Sequence, residues 1–548
     1  MQPTQVDMIL FNGLIWTGDD QLPDAEALAV DGGRIIAVGN SEEIMRDYTS
    51  DNCIDLQRQR LLPGLHDSHM HLIGTGMMLR TVNLVGCNSI GELKERYLSL
   101  TQNSGQTADK AEAFLIGRGF LQDEFIEPRM PNRYDLDAIS TDRPVVAVRA
   151  CGHLLVCNSK VLHMAGIGKG FGQMEGGEIG FDIDGEPNGI ISEQAMDLVY
   201  TLMPSPLEDE LKDAIERAAA ECLRTGITTA HTNDFGSEDW DLYHRAFASA
   251  ANAGKLKVRL NHQMLYDKPE DIAAFVSWRN NHASAYGLDP EYFTYGPVKV
   301  MCDGSLGGRT AALCEPYADA HDTCGVTILN RKQIVSILSE AYNHGFQLCG
   351  HAIGDSAIIE LIEAMGDVVP PEKRPAARSR VIHAQITTPE ILKRMRELHI
   401  HCDIQPPFVA TDHAIVASRV GREKAQTSYA WATMRQMGIT TSGGSDSPVE
   451  PLKPFYGIYC AVTRKTAAGE PPGGWLPKER LTLEEALRLY TYDGAYAAST
   501  EDIVGCIKPG QYADFILLDC DIFKIPQEEI KEIKVLTTWV GGEIVYSK

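Results

Sequence analysis

Through the middle of the chain, short apolar runs alternate with stretches of helical period. Eight of the runs read as strands: Leu61–Leu72, Ile227–Thr232, Val258–Met264, Val298–Asp303, Gln347–Gly354, Arg380–Gln385, His401–Pro406 and Ile439–Asp446. Between them, segments such as Glu208–Thr225 and Arg331–His344 carry apolar residues at helical spacing. The last helix, Leu483–Ala497, opens on a capping box of Thr482 with Glu485. Alternation of this kind builds a parallel sheet. Eight such units predict an α/β fold, a (β/α)8 TIM barrel over residues 63–499.

The two ends have a different texture. Ile9–Phe11, Gly13–Trp16 and Arg34–Val38 are short β-rich runs broken by turns such as Asp31-Gly32-Gly33. The pattern returns in Ala513–Leu518 and Val535–Val540, and Gly541-Gly542 offers a hairpin turn into Ile544–Tyr546. Residues 1–62 and 500–548 are therefore expected to form one small β-sandwich domain from both termini. One interval is too long for a strand–helix connection: about 150 residues separate the first barrel strand from the second. Phe114–Gly117 and Pro144–Val148 within it are strand-like, and glycine-rich sequence follows at 166–180. Residues 101–203 read as an insertion over the barrel mouth, expected to line or cover a substrate pocket.

Composition narrows the class. A hydrophobic fraction of 44% and a charged fraction of 23% suit a folded globular chain. A net charge of −25 argues against nucleic acid or an anionic membrane, which both need a basic face. The 13 cysteines include no Cys-x-x-Cys pair, the usage of reduced thiols in a cytosolic protein. Residues Met1–Asp20 lack the basic start and clean apolar run of a signal peptide, and no stretch approaches the roughly 20 apolar residues of a membrane span. The expectation is a cytoplasmic protein whose partners are a small-molecule substrate and a second copy in a homodimer, with no nucleic acid and no membrane.

The chemistry concentrates at strand ends. In Leu65-His66-Asp67-Ser68-His69-Met70-His71-Leu72, period-2 alternation puts Asp67, His69 and His71 on one face. Two imidazoles so placed can reach one metal ion, and neutral imidazole suits zinc-like ions. His351, His383 and Asp446 end the fifth, sixth and eighth strands. A histidine on an apolar strand is by itself more often a core residue than a ligand, but polar residues converging at strand carboxyl ends lie where barrels gather catalytic groups. Lys299 stands inside the fourth apolar strand, a costly place for a charge unless it is paired or chemically altered. A desolvated lysine loses its proton readily and can take up CO2 as a carbamate, an anion able to bridge two ions. At an effective dielectric of about 20, two divalent ions about 3.5 Å apart repel by about 19 kcal/mol, so a bridging anion is the natural remedy.

These residues resemble the amidohydrolase superfamily, specifically its branch of N-substituted formamide deformylase-like proteins. The resemblance runs through Gly152–Ser159, Gly185–Gly189, Asp303–Ala311, His351–Asp355, Gly444–Pro448 and Gly510–Asp514. It implies metal ligands at His69, His71, His351, His383 and Asp446, one or two Zn2+ or similar ions, and carboxylation of Lys299 in a binuclear site. The branch commonly has a glutamate before the sixth-strand histidine, where this chain has Ile382; strand parity points that side chain away from the metals. The expected reaction is hydrolysis of a non-peptide carbon–nitrogen bond, an amide or N-formyl or N-acyl group, by metal-activated hydroxide with Asp446 as general base. His153, Arg309 and Trp431 are candidates for substrate contact, against readings as insertion packing, a surface ion pair and core filling. Two other functions stay open: a deaminase of an amino-substituted ring on the same barrel, and a non-catalytic regulatory protein that keeps the fold. The first would ordinarily carry a glutamate three residues past the fifth-strand histidine, where this chain has Gly354. The second would be favoured by a missing ligand, yet all six positions are filled.

Overall fold

The computed structural model describes residues 3–548 apart from 85, 104–113, 123–124, 128, 150–153, 173–176, 204–205 and 238. It divides into two compact units, Met1–Thr75 with Ile215–Lys548, and Gly76–Ala214.

The first unit holds eight parallel strands in sequential order: β1 (Leu65–Met70), β2 (Ile227–Thr232), β3 (Arg259–Leu265), β4 (Phe293–Met301), β5 (Leu348–Ala352), β6 (Arg380–His383), β7 (His401–Ile404) and β8 (Thr440–Gly443). Each of the eight expected runs supplies one strand of this sheet. Helices cover the connections, among them Trp240–Asn252, Pro269–His282, Arg331–Asn343, Asp355–Val368 and Pro389–Glu397. Strands buried on both faces account for the near-continuous burial of β1, β2, β6 and β7.

The sheet curls back so that the end of β8 meets β1. Asp446 N donates to His69 O at 2.7 Å, and His71 N donates to Ser447 O at 2.7 Å. Asp67 receives the Ser445 backbone N–H at 3.0 Å and 3.1 Å on its two oxygens. Gly444 is required in this seam, since a Cβ there would stand 2.7 Å from the backbone nitrogen of His69. Closure therefore also delivers Asp446 to the end of β1.

Below the strand ends, the barrel interior is not purely apolar. Arg380 and Asp403 form an ion pair at 2.8 Å with both side chains fully buried. Burying two charges is expensive unless their remaining groups are bonded. Here Arg380 also donates to Ser68 O at 2.9 Å, and the Ser442 hydroxyl donates to Asp403 at 2.6 Å.

Strands from both ends of the chain share a six-stranded sheet, in the order Glu543–Ser547, Val535–Val540, Phe515–Leu518, Arg60–Pro63, Leu14–Trp16, Asp24–Ala25. A four-stranded sheet of Arg34–Gly39, Ala27–Asp31, Met8–Phe11 and Cys53–Asp55 contributes Leu10, Leu28 and Val30 to the same apolar cluster as Leu61, Phe515 and Trp539. Gly541 and Gly542 both adopt positive φ, 57° and 77°, as a tight two-residue hairpin turn demands.

Two expected elements are split. The run Leu61–Leu72 is two strands: Pro63 still pairs with Phe515 in the terminal sheet, and after Gly64 the chain enters the barrel as β1. A side chain at Gly64 would collide with Thr228, so the crossing between sheets needs glycine. Likewise Leu483–Ala497 is two helices, Leu483–Leu489 with the expected capping box and Tyr492–Ala497. The Tyr490 carbonyl between them accepts the His66 N–H of β1 at 2.7 Å, a tertiary bond that interrupts the helical ladder.

The second unit, Gly76–Ala214, is wider than the 101–203 stretch and contains a six-stranded mixed sheet in which Leu115–Phe120 and Val145–Arg149 pair in parallel. Among the described residues no helix is long and apolar enough to cross a membrane, and every described cysteine is free.

Candidate metal centre

The carboxyl ends of β1, β6 and β8 bring three side chains to one point. Ligand atoms of His69, His383 and Asp446 all lie within 4.8 Å of one another, and all three residues are buried. Asp446 Oδ1 stands 3.3 Å from His69 Nε2 and 3.4 Å from His71 Nε2. His71 lies one residue past β1 and its side chain is 35% exposed, so it forms the open side of the cluster. Lys299, on β4 and 2% exposed, donates from Nζ to His69 Nε2 at 3.2 Å. The His351 ring packs edge-on against His383 with centroids 4.5 Å apart, while its Nε2 stands 3.2 Å from Gly304 O and 3.3 Å from Asp303.

The backbone is held in an unusual conformation at these points. His383, Ala384 and Asp446 have φ of 79°, 47° and 55°. Non-glycine residues with such angles cost of order 1–3 kcal/mol each and persist only where the surroundings impose them. Here the β6 end and the seam between β8 and β1 do so.

Electrostatics favour ligands over free ions. Burial pushes His69 down to about 4, and Lys299 adds to the effect. Burial also drives His383 well below its usual range, with His351 adding to it. Both imidazoles are thus neutral at physiological pH, the form that binds metal. Burial alone would raise the Asp446 carboxyl, but its contacts with His69 and His71 outweigh that and keep it ionised. Burial lowers the Lys299 amine, against the opposing pull of Asp446. Asp67, behind the cluster, is pushed up to about 7 by burial despite the amide bonds it accepts.

Among the residues expected to touch substrate, Arg309 spends its guanidinium on Asp319, with two bonds of 3.0 Å. Trp431 is 1% exposed, and the Arg464 guanidinium lies 4.5 Å above its ring. His153 lies outside the described residues. Ile382 is fully buried.

Several participants went unnoticed in the sequence. Gln263 of β3 and Gln405 after β7 accept from His69 and His383, and Phe408 stacks on the His383 ring at 5.9 Å. Gln263 and Gln405 are polar residues at strand carboxyl ends, the signal that singled out the histidines. Phe408 had no such signal.

Glu450, four residues past Asp446, is a buried carboxyl whose side chain meets the Thr411 hydroxyl at 3.0 Å. Burial pushes it up to about 8, with Asp412 and Asp446 adding to the effect. The native state then keeps a proton that the unfolded chain releases near pH 4.5, so this contribution to stability is complete below that pH and is lost as pH rises through about 8. In metal-free protein, the stability advantage of Glu450→Gln over wild type should grow by on the order of 4 kcal/mol between those limits. Urea unfolding at pH 5 and pH 8 tests this; a pH-independent difference would refute it.

A parallel eight-stranded barrel with histidines and an aspartate gathered at its carboxyl end defines a metal-dependent hydrolase, and this chain belongs to the amidohydrolase family, whose model matches residues 52–546. Among its relatives, YtcJ of Bacillus subtilis, which carries an amidohydrolase name, is 32% identical over 98% of this chain and 99% of its own. The N-substituted formamide deformylase of Arthrobacter pascens is 26% identical over 99% of this chain and 98% of its own. A solved structure of an uncharacterized metal-dependent hydrolase from Pyrococcus horikoshii superposes with a TM-score of 0.76 at 27% identity, covering 95% of this chain and 99% of that one.

Proposed function

We propose that this protein hydrolyses a carbon–nitrogen bond other than a peptide bond, an amide or an N-formyl or N-acyl group, in a small molecule. The observation that carries the reading is the convergence of His69, His383 and Asp446 within 4.8 Å at the barrel's carboxyl end. The donor set fits a divalent ion: neutral imidazoles with an ionised carboxylate make a zinc-like site. His69, His71, His383 and Asp446 would hold it, with His351 and a carboxylated Lys299 serving a second ion. When bound, Zn2+ or a similar ion supplies Lewis acidity and makes water acidic enough to attack near neutral pH.

The chain's own residues do the rest. Asp446 takes a proton from the attacking water and returns it to the leaving nitrogen, so the amine departs neutral. His71 occupies the solvent-facing side, where substrate enters, and Phe408 supplies an apolar wall against His383. The likeness to a formamide deformylase favours small N-formyl or N-acyl amines as substrates. The two terminal sheets around one core support a β-sandwich beside the barrel, and the free cysteines support a cytoplasmic setting.

The test is a screen of formamides, N-acyl amines, cyclic amides and aminopurines with zinc-loaded enzyme. Release of an amine and a carboxylic acid is the expected outcome; preferential release of ammonia from an aminopurine would make the protein a deaminase instead. Removing metal with a chelator should lower hydrolysis about a hundredfold or more, with zinc restoring it, given the several kcal/mol that Lewis-acid stabilisation supplies. Full activity in metal-free protein would defeat the proposal.

A further inference from the structure

Three histidines of the cluster share one feature: each has Nδ1 against an oxygen. For His71 it is the backbone carbonyl of Asn233 at 2.8 Å, which can only accept. For His69 it is Gln263 Oε1 at 2.5 Å, and for His383 it is Gln405 Oε1 at 2.7 Å. The orientation of both amides is settled by their other ends. Gln263 Nε2 donates to Ser68 O at 3.0 Å, and Gln405 Nε2 donates to Asp403 O at 3.0 Å. A carbonyl accepts only, so each amide nitrogen must face it and each amide oxygen must face its histidine. Nδ1 of each ring then carries the hydrogen, and Nε2 keeps its lone pair toward the cluster.

Histidine ligands commonly donate from the second nitrogen to a carboxylate, a backbone carbonyl or water, and a charged carboxylate raises the ring's basicity most. Here none of the three meets a carboxylate; the acceptors are two carboxamides and a peptide carbonyl. Gln263 and Gln405 are both buried, at 0% and 3% exposure, so solvent does not dilute their effect.

We propose that Gln263 and Gln405 are positioning residues that fix His69 and His383 in the Nε2-binding tautomer, and that as uncharged acceptors they keep the centre's ion exchangeable rather than permanently held. This rests on the metal-dependent reading above. Its consequence is a site that takes up and releases zinc, cobalt or manganese readily, instead of one that survives a chelator for long.

Competition of full-length protein with a chromophoric chelator for zinc or cobalt provides the test, with the cobalt absorption spectrum as a second readout. Gln405→Leu and Gln263→Leu, which keep the volume and remove the acceptor, should each weaken metal binding about 10- to 100-fold and alter the cobalt spectrum. Gln405→Glu should tighten binding and slow metal release. The melting temperature of each metal-free variant separates lost positioning from lost folding. If a leucine variant does not fold, the glutamate variant decides alone. Equal affinity and release rate in wild type and Gln405→Glu would overturn the proposal, as would unchanged metal affinity in folded leucine variants. Wild-type protein that binds none of these ions would instead defeat the metal-dependent reading itself.

Discussion

Asp446→Asn is expected to lower kcat/KM by about a thousandfold or more, within the range that loss of a positioned general base produces. The carboxylate stands among the buried histidines, with Oδ1 3.3 Å from His69 Nε2. Asparagine keeps its shape but can neither accept the proton of an attacking water nor neutralise a divalent ion. The choice of asparagine matters for a second reason. Asp446 sits at a φ of 55°, a conformation that asparagine tolerates better than most residues, so the backbone seam between β8 and β1 should survive. Steady-state kinetics, elemental analysis and a melting curve together check the result. Activity above a tenth of wild type would remove Asp446 from its role.

Lys299→Ala should cost metal occupancy and activity together, by at least the 10- to 100-fold that loss of an outer-shell partner costs. The amine is buried on β4 and reaches His69 Nε2 at 3.2 Å, and among the described residues no carboxylate is bonded to it. An ammonium about 4 Å from a divalent ion would oppose binding by about 8 kcal/mol at an effective dielectric of about 20. Lys299 must therefore be neutral or carboxylated when an ion is bound, and burial already lowers its pKa. If the carbamate is its working form, short carboxylic acids should partly rescue Lys299→Ala by supplying the missing anion. An alanine variant with unchanged zinc content and rate would make the lysine a structural residue.

The hydrophobic pattern was enough to mark all eight barrel strands, because parallel strands buried on both faces are apolar runs whatever their neighbours. It also placed His69, His383 and Asp446 at strand carboxyl ends, and barrel geometry then required those ends to meet. Three things lay outside its reach, each because it depends on residues distant in sequence. The Leu61–Leu72 run spans two sheets, and the break at Gly64 depends on Thr228, a residue far away in sequence. The single helix expected over Leu483–Ala497 was interrupted by a hydrogen bond from His66, which local helix propensity does not register. Most of all, the orientation of the ligands is a tertiary property. Gln263 and Gln405 lie on β3 and just beyond β7, strands without a ligand histidine, and only the closing of the barrel brings their amide oxygens to the rings of His69 and His383. Residue identity and strand period determined which side chains could form a centre; the long-range hydrogen bonds of the closed barrel decided which nitrogen of each ring faces it.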